Sequence, residues 1–338
     1  MNVYGNQNHT NFMNKKIVKR LALSFLLLVG LGQPVTQAAE SYPSAPIKVV
    51  VPFGAGSATD ILARTVGERM SKELGTPFVV ENKAGALGTI GATYVARSAP
   101  DGYTLLVGTN TTNAAIKAFM KSAPYDPLAD FVSVSLLGEL TQIVVVSKDS
   151  QFQTLEDLVK YANTHPGKLT YAWSNTVGRV ASEMLAQHAG IKFMDVPYKE
   201  AGTALMDVVS GRVDFTIDNA MVTSSQINGK NLRPLAVTSA ERLPMLPETP
   251  TVREAIGLEN YMVKGFFALF APAGTPPDIV EKLSNAVQVA GKDEQVRNKL
   301  STIGFEVGTT TPGELQARIE HETASWLESA RLAGIEPQ

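Results

Sequence analysis

Between Ile47 and Leu74 an apolar, β-branched run gives way to a glycine-rich turn and then to helical periodicity. No other stretch restricts the fold as tightly. Ile47 to Val51, stopped by Pro52, reads as a strand buried on both faces. Phe53 to Asp60 is a tight loop, and Ile61 to Leu74 carries an amphipathic helical pattern closed by Gly75. A strand–loop–helix of this kind turns backbone N–H groups and a helix N-terminus toward one point, which suits an anion.

The same rhythm recurs. Phe78-Val79-Val80 is a strand, Glu81 to Gly88 a loop and Thr89 to Arg97 a helix. Tyr103 to Val107 is a third strand, ending at Gly108 to Asn113. This order predicts a parallel sheet with helices on both faces. All three loops follow strand C-terminal ends, where open α/β sheets bind ligands.

Ahead of this region lies a leader. Asn14 to Arg20 is basic, Leu21 to Leu31 is apolar but too short to span a bilayer, and Gln33-Pro34 breaks it before Ala38-Ala39. Residues 1–39 therefore read as a secretory signal cleaved after Ala38 or Ala39, with translation starting at Met1 or Met13. The chain has no cysteine, which excludes disulfides, thiolate chemistry and a lipid anchor at the cleavage site. Removing the leader's four cations from 30 leaves 26 basic against 32 acidic residues, a net of −6. That balance gives nucleic acid nothing to hold. The expected product is periplasmic and monomeric.

Further on, Gln142 to Val146 reads as a strand crossing into a second domain. Thr154 to Asp157 has capping-box form and opens a helix that stops before Pro166. Leu169 to Trp173 is a strand, Ser174 to Gly178 a polar loop and Arg179 to Ala189 a helix. Asp195 to Tyr198 is a short strand, Ala201 to Ser210 a helix, and Val213 to Ile217 and Leu232 to Thr238 are strands. Val263 to Ala271 is the return crossing, followed by helices from Pro276 to Val289 and from Pro312 to Leu332. The layout is α/β with two Rossmann-like domains joined by a two-strand hinge. The first lobe is discontinuous, 40–142 plus 264–338, and the second is 143–263.

An enzyme is disfavoured on the residues. Gly54-Ala55-Gly56-Ser57-Ala58-Thr59 begins like a dinucleotide fingerprint, with Glu81 placed for a ribose. Its third glycine, however, is Thr59, and a β-branched side chain resists the close helix–strand packing needed there. There is no Gly-x-Ser-x-Gly elbow. His165, His188 and His321 sit on or beside helices away from the strand-end loops, and no His/Asp/Glu group has metal spacing. The loops hold hydroxyls and amides, an inventory for binding. No cofactor and no metal are expected.

Ordered motifs then carry a resemblance. They include Tyr42-Pro43, Val50-Val51-Pro52-Phe53 with Asp60, Val80-Glu81-Asn82-Lys83, Gly91-Ala92 and Pro100-Asp101-Gly102-Tyr103-Thr104-Leu105-Leu106. Later come Tyr125-Asp126-Pro127, Val196-Pro197-Tyr198-Lys199, Leu246-Pro247-Glu248-Thr249-Pro250-Thr251 and Ala271-Pro272-Ala273-Gly274-Thr275-Pro276. In these the chain resembles the Bug-type periplasmic receptors of tripartite tricarboxylate transporters, from about Tyr42 to about Ile335. The resemblance implies a type II periplasmic-binding-protein fold that captures a small carboxylate by closing a cleft and delivers it to membrane permease subunits. It implies a first-lobe site at Phe53, Gly56, Ser57, Ala58, Thr59, Gly85, Ala86, Leu87, Gly88, Thr109, Asn110 and Thr111. The second lobe would add Ser174, Asn175, Arg179, Ser182, Asp218 and Asn219, and Trp173 at the strand end beside them reads as a flat wall for the ligand or as a core residue.

The chain also departs from that pattern. The first loop lacks the usual prolines and paired glycines, and Ser57 with Asp60 has capping-box spacing, so helix capping stands beside a ligand role for Ser57. Ser182 occupies the place of a usual histidine, and Phe266 that of a usual tryptophan. Arg179 lies near a helix start, where the helix dipole disfavours a cation, and a guanidinium matches a carboxylate in bidentate fashion. With Trp173 nearby, the expected ligand is a dicarboxylate, aromatic in one version. A ligand-sensing adaptor for a sensor kinase is the alternative role. An exported oxidoreductase comes last.

Overall fold

The computed structural model describes residues 42–259 and 261–332. The leader of residues 1–39, with its cleavage site, lies outside the described residues.

Strand β1 (Ile47–Val51) alternates as its sequence demands. Val49 and Val51 enter one apolar cluster and Val50 the cluster on the opposite face. Both faces are covered, so the strand is apolar throughout. Helix α1 (Ala58–Leu74) follows, with Ser57 as N-cap and Gly75 left-handed at its end (φ 66°). Strand β2 (Phe78–Asn82), helix α2 (Thr89–Ala96) and strand β3 (Thr104–Thr109) complete a parallel β2-β1-β3 arrangement. Short helical turns at Asn110–Asn113 and Ile116–Phe119 lead on.

Strand β4 (Phe131–Ser147) is far longer than the expected Gln142 to Val146. Helix α3 (Leu155–Thr164) is capped by the Thr154–Asp157 box. Then come β5 (Thr170–Trp173), α4 (Thr176–Ala189), β6 (Met194–Pro197), α5 (Ala201–Val209), β7 (Phe215–Asn219), α6 (Ala220–Asn228), β8 (Leu232–Val237) and α7 (Val252–Ile256). The chain finishes with β9 (Lys264–Pro272), α8 (Pro277–Lys292), α9 (Glu294–Ser301), β10 (Phe305–Glu306) and α10 (Pro312–Leu332).

The strand order is β2-β1-β3-β9-β4-β7-β5-β6, with β8 and β10 also on β4. The first three strands are parallel, as their order predicts, and the sheet as a whole is mixed. β9 enters beside β3 without a crossover helix and runs antiparallel to it, and β4 is antiparallel to β9, β7 and β8. β4 changes partners midway: Phe131 to Thr141 pair with β9, and Gln142 to Val146 pair with β7. At that change the buried Thr238 hydroxyl accepts from Gln142 N at 3.0 Å and donates to the Val263 carbonyl at 2.6 Å. One side chain thus ties the outgoing and returning segments.

Two apolar clusters flank each half. Val144 and Val146 pack with Leu158, Tyr171 and Phe215, while Ile143 and Val145 pack with Leu205, Val208 and Leu232. Val180 of α4 instead joins Ala114, Phe266, Ile319 and Trp326. That contact sets α4 against the first sheet's side of the molecule.

Candidate functional site

The loops after β1, β2 and β3 meet at the C-terminal ends of these strands. Gly88 (φ 86°) shows how closely: a Cβ there would lie 2.7 Å from Thr112 Cγ2 and 3.4 Å from the Phe53 ring. Both the backbone angle and the approach demand glycine. Asn82 at the end of β2 donates through Nδ2 to the Phe53 carbonyl (3.1 Å) and to Asp60 Oδ1 (2.9 Å). Asp60 is 4% exposed and also accepts from Gly56 N (3.0 Å) and Arg64 Nε (3.1 Å). Burial alone would raise its pKa. Arg64, the Gly56 N–H and Asn82 outweigh that and hold the carboxyl below its ordinary range.

This network corrects part of the expected site. Gly56 N–H serves Asp60, and Ser57 Oγ accepts from Asp60 N at 3.3 Å, so both groups turn in on their own helix. The Ser57 oxygen thus caps α1, while its O–H proton stays available as a donor. The Ala58 and Thr59 N–H groups lie in the first turn of α1, where a helix offers them no intrahelical acceptor.

The third loop divides. The Asn110 side chain faces away from the other loops. Its Oδ1 accepts from Phe266 N at 2.6 Å, and its Nδ2 donates to Glu322 Oε2 at 2.8 Å. It lines a cavity of about 430 Å³ with Glu139, Lys264, Arg318 and Trp326, where Arg318 bridges Glu139 and Glu322. Its amide is spent as a structural tie. Asn113 Nδ2, by contrast, is buried and has no hydrogen-bond partner among the described residues, and the buried Thr109 Oγ1 faces the Thr112 N–H in a capping box. Thr111 is half-buried.

In the second lobe, Asn175 Oδ1 caps α4 by accepting from Gly178 N (2.8 Å), and its Nδ2 donates to Asp218 Oδ1 (3.0 Å). Asn219 N (2.7 Å) and Nδ2 (2.9 Å) reach the same oxygen, while Asn219 Oδ1 caps α6. The starts of α4 and α6 thus converge on Asp218. Burial pushes its carboxyl up to about 6, against the pull of Asn219 N and Asn175.

Helix α4 begins at Thr176 rather than Arg179, because Asn175 supplies a cap that the polar run concealed. Ser182 therefore sits well inside the helix. It is fully buried and donates to the Gly178 carbonyl at 2.9 Å, which removes it from any ligand surface. Arg179 lies over the Trp173 ring (4.6 Å), with Nη2 3.8 Å from Asp195, to which Trp173 Nε1 also donates (3.1 Å). Arg179 Nε is buried without a partner among the described residues. Ser174 is half-buried beside them. Among the described residues no acidic or histidine cluster could hold a metal, and no helix is long and apolar enough to cross a membrane.

Strand-end loops of two α/β halves, tied by a shared strand and lined with amides and hydroxyls, define the architecture of a periplasmic binding protein. The family model described as "Tripartite tricarboxylate transporter family receptor" matches residues 62–328, and the chain belongs to that family. Protein BugT of Bordetella pertussis is 32% identical over 314 residues, covering 92% of this chain and 95% of BugT. R. palustris Rpa4515, solved with adipate, superposes with a TM-score of 0.79 at 35% identity, over 88% of this chain and all (100%) of that one. MatC from Rhodopseudomonas palustris, solved with bound malate, gives 0.74 at 33% identity, over 86% of this chain and 100% of its own. The chain is a solute-binding receptor of the Bug type and not an enzyme.

Proposed function

We propose that this receptor captures a small aliphatic dicarboxylate in the periplasm and delivers it to the membrane subunits of a tripartite transporter. The observation that carries the reading is the pair of enclosed polar groups in the turn after β3, Thr109 Oγ1 in its capping box with Thr112 and Asn113 Nδ2 without a hydrogen-bond partner among the described residues. They belong to the turn that packs on Gly88 and, through it, on Phe53. A buried donor left unpaired costs about 1–3 kcal/mol, so an ordered water relaying it to a ligand oxygen is favoured there. The Ala58 and Thr59 amides, in the first turn of α1, add donors at a helix start. Relatives solved with adipate and malate support the ligand class. Both acids are aliphatic, and Arg179 covers one face of Trp173, so the aromatic version loses its main support.

In this reading 40–142 plus 264–338 form one lobe and 143–263 the other, moving about Thr141-Gln142 and Val263-Lys264. The Asn175–Asp218–Asn219 group closes on a ligand seated in the first lobe. Closure is favoured because the ligand touches both lobes only in the closed form. Cleavage after Ala38 or Ala39 releases a soluble monomer.

A thermal-shift screen of the mature protein against mono-, di- and tricarboxylates tests this, followed by calorimetry on the hits. Binding to the folded state raises the melting temperature. If no carboxylate raises it, the reading fails. Turnover of any hit in proportion to protein would also overturn it.

A further inference from the structure

We infer that Leu87 selects the length of the bound acid by contacting its methylene chain. The inference rests on the carboxylate reading above. Four consecutive residues, Gly85, Ala86, Leu87 and Gly88, have positive φ angles of 129°, 46°, 55° and 86°. The left-handed region is costly for an L side chain and bears hardest on a bulky one. A single exposed leucine is ordinary. A leucine held left-handed with 48% of its surface exposed gains little from its own fold in return for that strain. Strain of this sort, observed in a ligand loop, points to function.

The placement supports the inference. The next residue, Gly88, packs against the Phe53 ring and Thr112, so Leu87 stands beside the turn carrying Thr109 and the unpartnered Asn113 Nδ2. Those polar groups offer nothing to a hydrocarbon chain. Leu87 and the similarly exposed Ile90 (54%) are the large apolar side chains at this loop that the core leaves uncovered. An acid whose carboxylate is held at β3 and whose methylenes lie on Leu87 would exchange two solvent-exposed apolar surfaces for one contact.

Calorimetry with adipate and succinate, which differ by two methylenes, tests this on wild type, Leu87→Gly and Leu87→Asn. Glycine and asparagine both accept positive φ, so both variants should fold, and their melting temperatures should equal or exceed that of wild type. Wild type is expected to prefer adipate by about tenfold, from burial of two further methylenes. Both variants should lose most of that preference while succinate affinity changes by less than about threefold. Preference for succinate in wild type, an unchanged preference in the variants, or an equal loss for both acids would overturn the role of Leu87. If wild type binds neither acid nor any other carboxylate, the functional reading itself falls and takes this inference with it.

Discussion

Gly178 and Ile217 are in contact so close that a Cβ on the glycine would lie 2.3 Å from the Ile217 carbonyl oxygen. The obstacle is backbone, so it cannot swing aside. This contact seats the first turn of α4 against β7 and brings Asn175 within reach of Asp218.

Gly178→Ala should therefore push α4 off β7. We expect a stability loss of about 1–3 kcal/mol in urea titration, typical of overpacking, together with weaker ligand binding. Gly54→Ala is the control. Its added methyl meets nothing within 4 Å and its φ is not positive, so it should change stability by less than about 0.5 kcal/mol. Equal effects at both positions would refute the role of the Ile217 contact.

Asp60 should anchor the first ligand loop. Removing its charge with Asp60→Asn should cost about 2–3 kcal/mol at pH 7, the scale of charge-assisted bonds to a buried carboxylate. The folded pKa lies below the ordinary 3.8, so this stabilisation is fully present above 3.8 and is lost as pH falls through the lowered folded value. The stability gap between wild type and variant should close in strong acid. A gap that stays constant from pH 7 downward would contradict the ionic account.

Asp218 has the opposite sign. Its folded pKa of about 6 lies above 3.8, so holding it ionised opposes folding above about 6, and the penalty fades as pH falls from 6 to 3.8. Asp218→Asn keeps an acceptor for Asn175 and Asn219 and removes the penalty. At pH 7.5 the variant should match wild type or exceed it by up to about 3 kcal/mol, with no advantage left near 3.8. A variant clearly less stable at pH 7.5 would count against the buried-acid reading.

Arg179→Ala should weaken dicarboxylate binding by about tenfold and leave monocarboxylates within about threefold. Arg179→Lys should not restore it, because a point charge lacks the guanidinium fork and packs less well on Trp173. Calorimetry showing unchanged dicarboxylate affinity in Arg179→Ala would remove the residue from the site.

Much of the fold was legible because its signals are local. The β-branched run of β1, the Ser57 and Gly75 ends of α1 and the Thr154–Asp157 box all lie within a few residues of what they define. What escaped depends on distant partners or weak helix formers. Helix α6, AMVTSSQIN, is rich in serine and threonine and stands on the Asn219 cap. Helix α9 buries only Val296 and Leu300. The candidate site shows the same divide. Loop positions were legible, but side-chain directions were not. Asn110 turns away because its partner is the backbone of Phe266, which no local pattern reveals. Ser182 lies two turns into α4, facing the core, because the helix starts at Thr176 under an Asn175 cap that a polar run conceals.

The position of β9 bears on the order of assembly. It is an interior strand, hydrogen-bonded to β3 on one side and β4 on the other, yet it enters only after the whole sequence of β5 to β8. Until it arrives, β3 and the first part of β4 have no neighbour on that side. The half built on β5, β6 and β7 uses a contiguous stretch and can collapse first, while the half carrying β1 waits for the last quarter of the chain. Non-local pairing of this kind slows folding. A chain that becomes compact late stays extended longer, and an extended chain is the form that can be threaded through a membrane before folding beyond it.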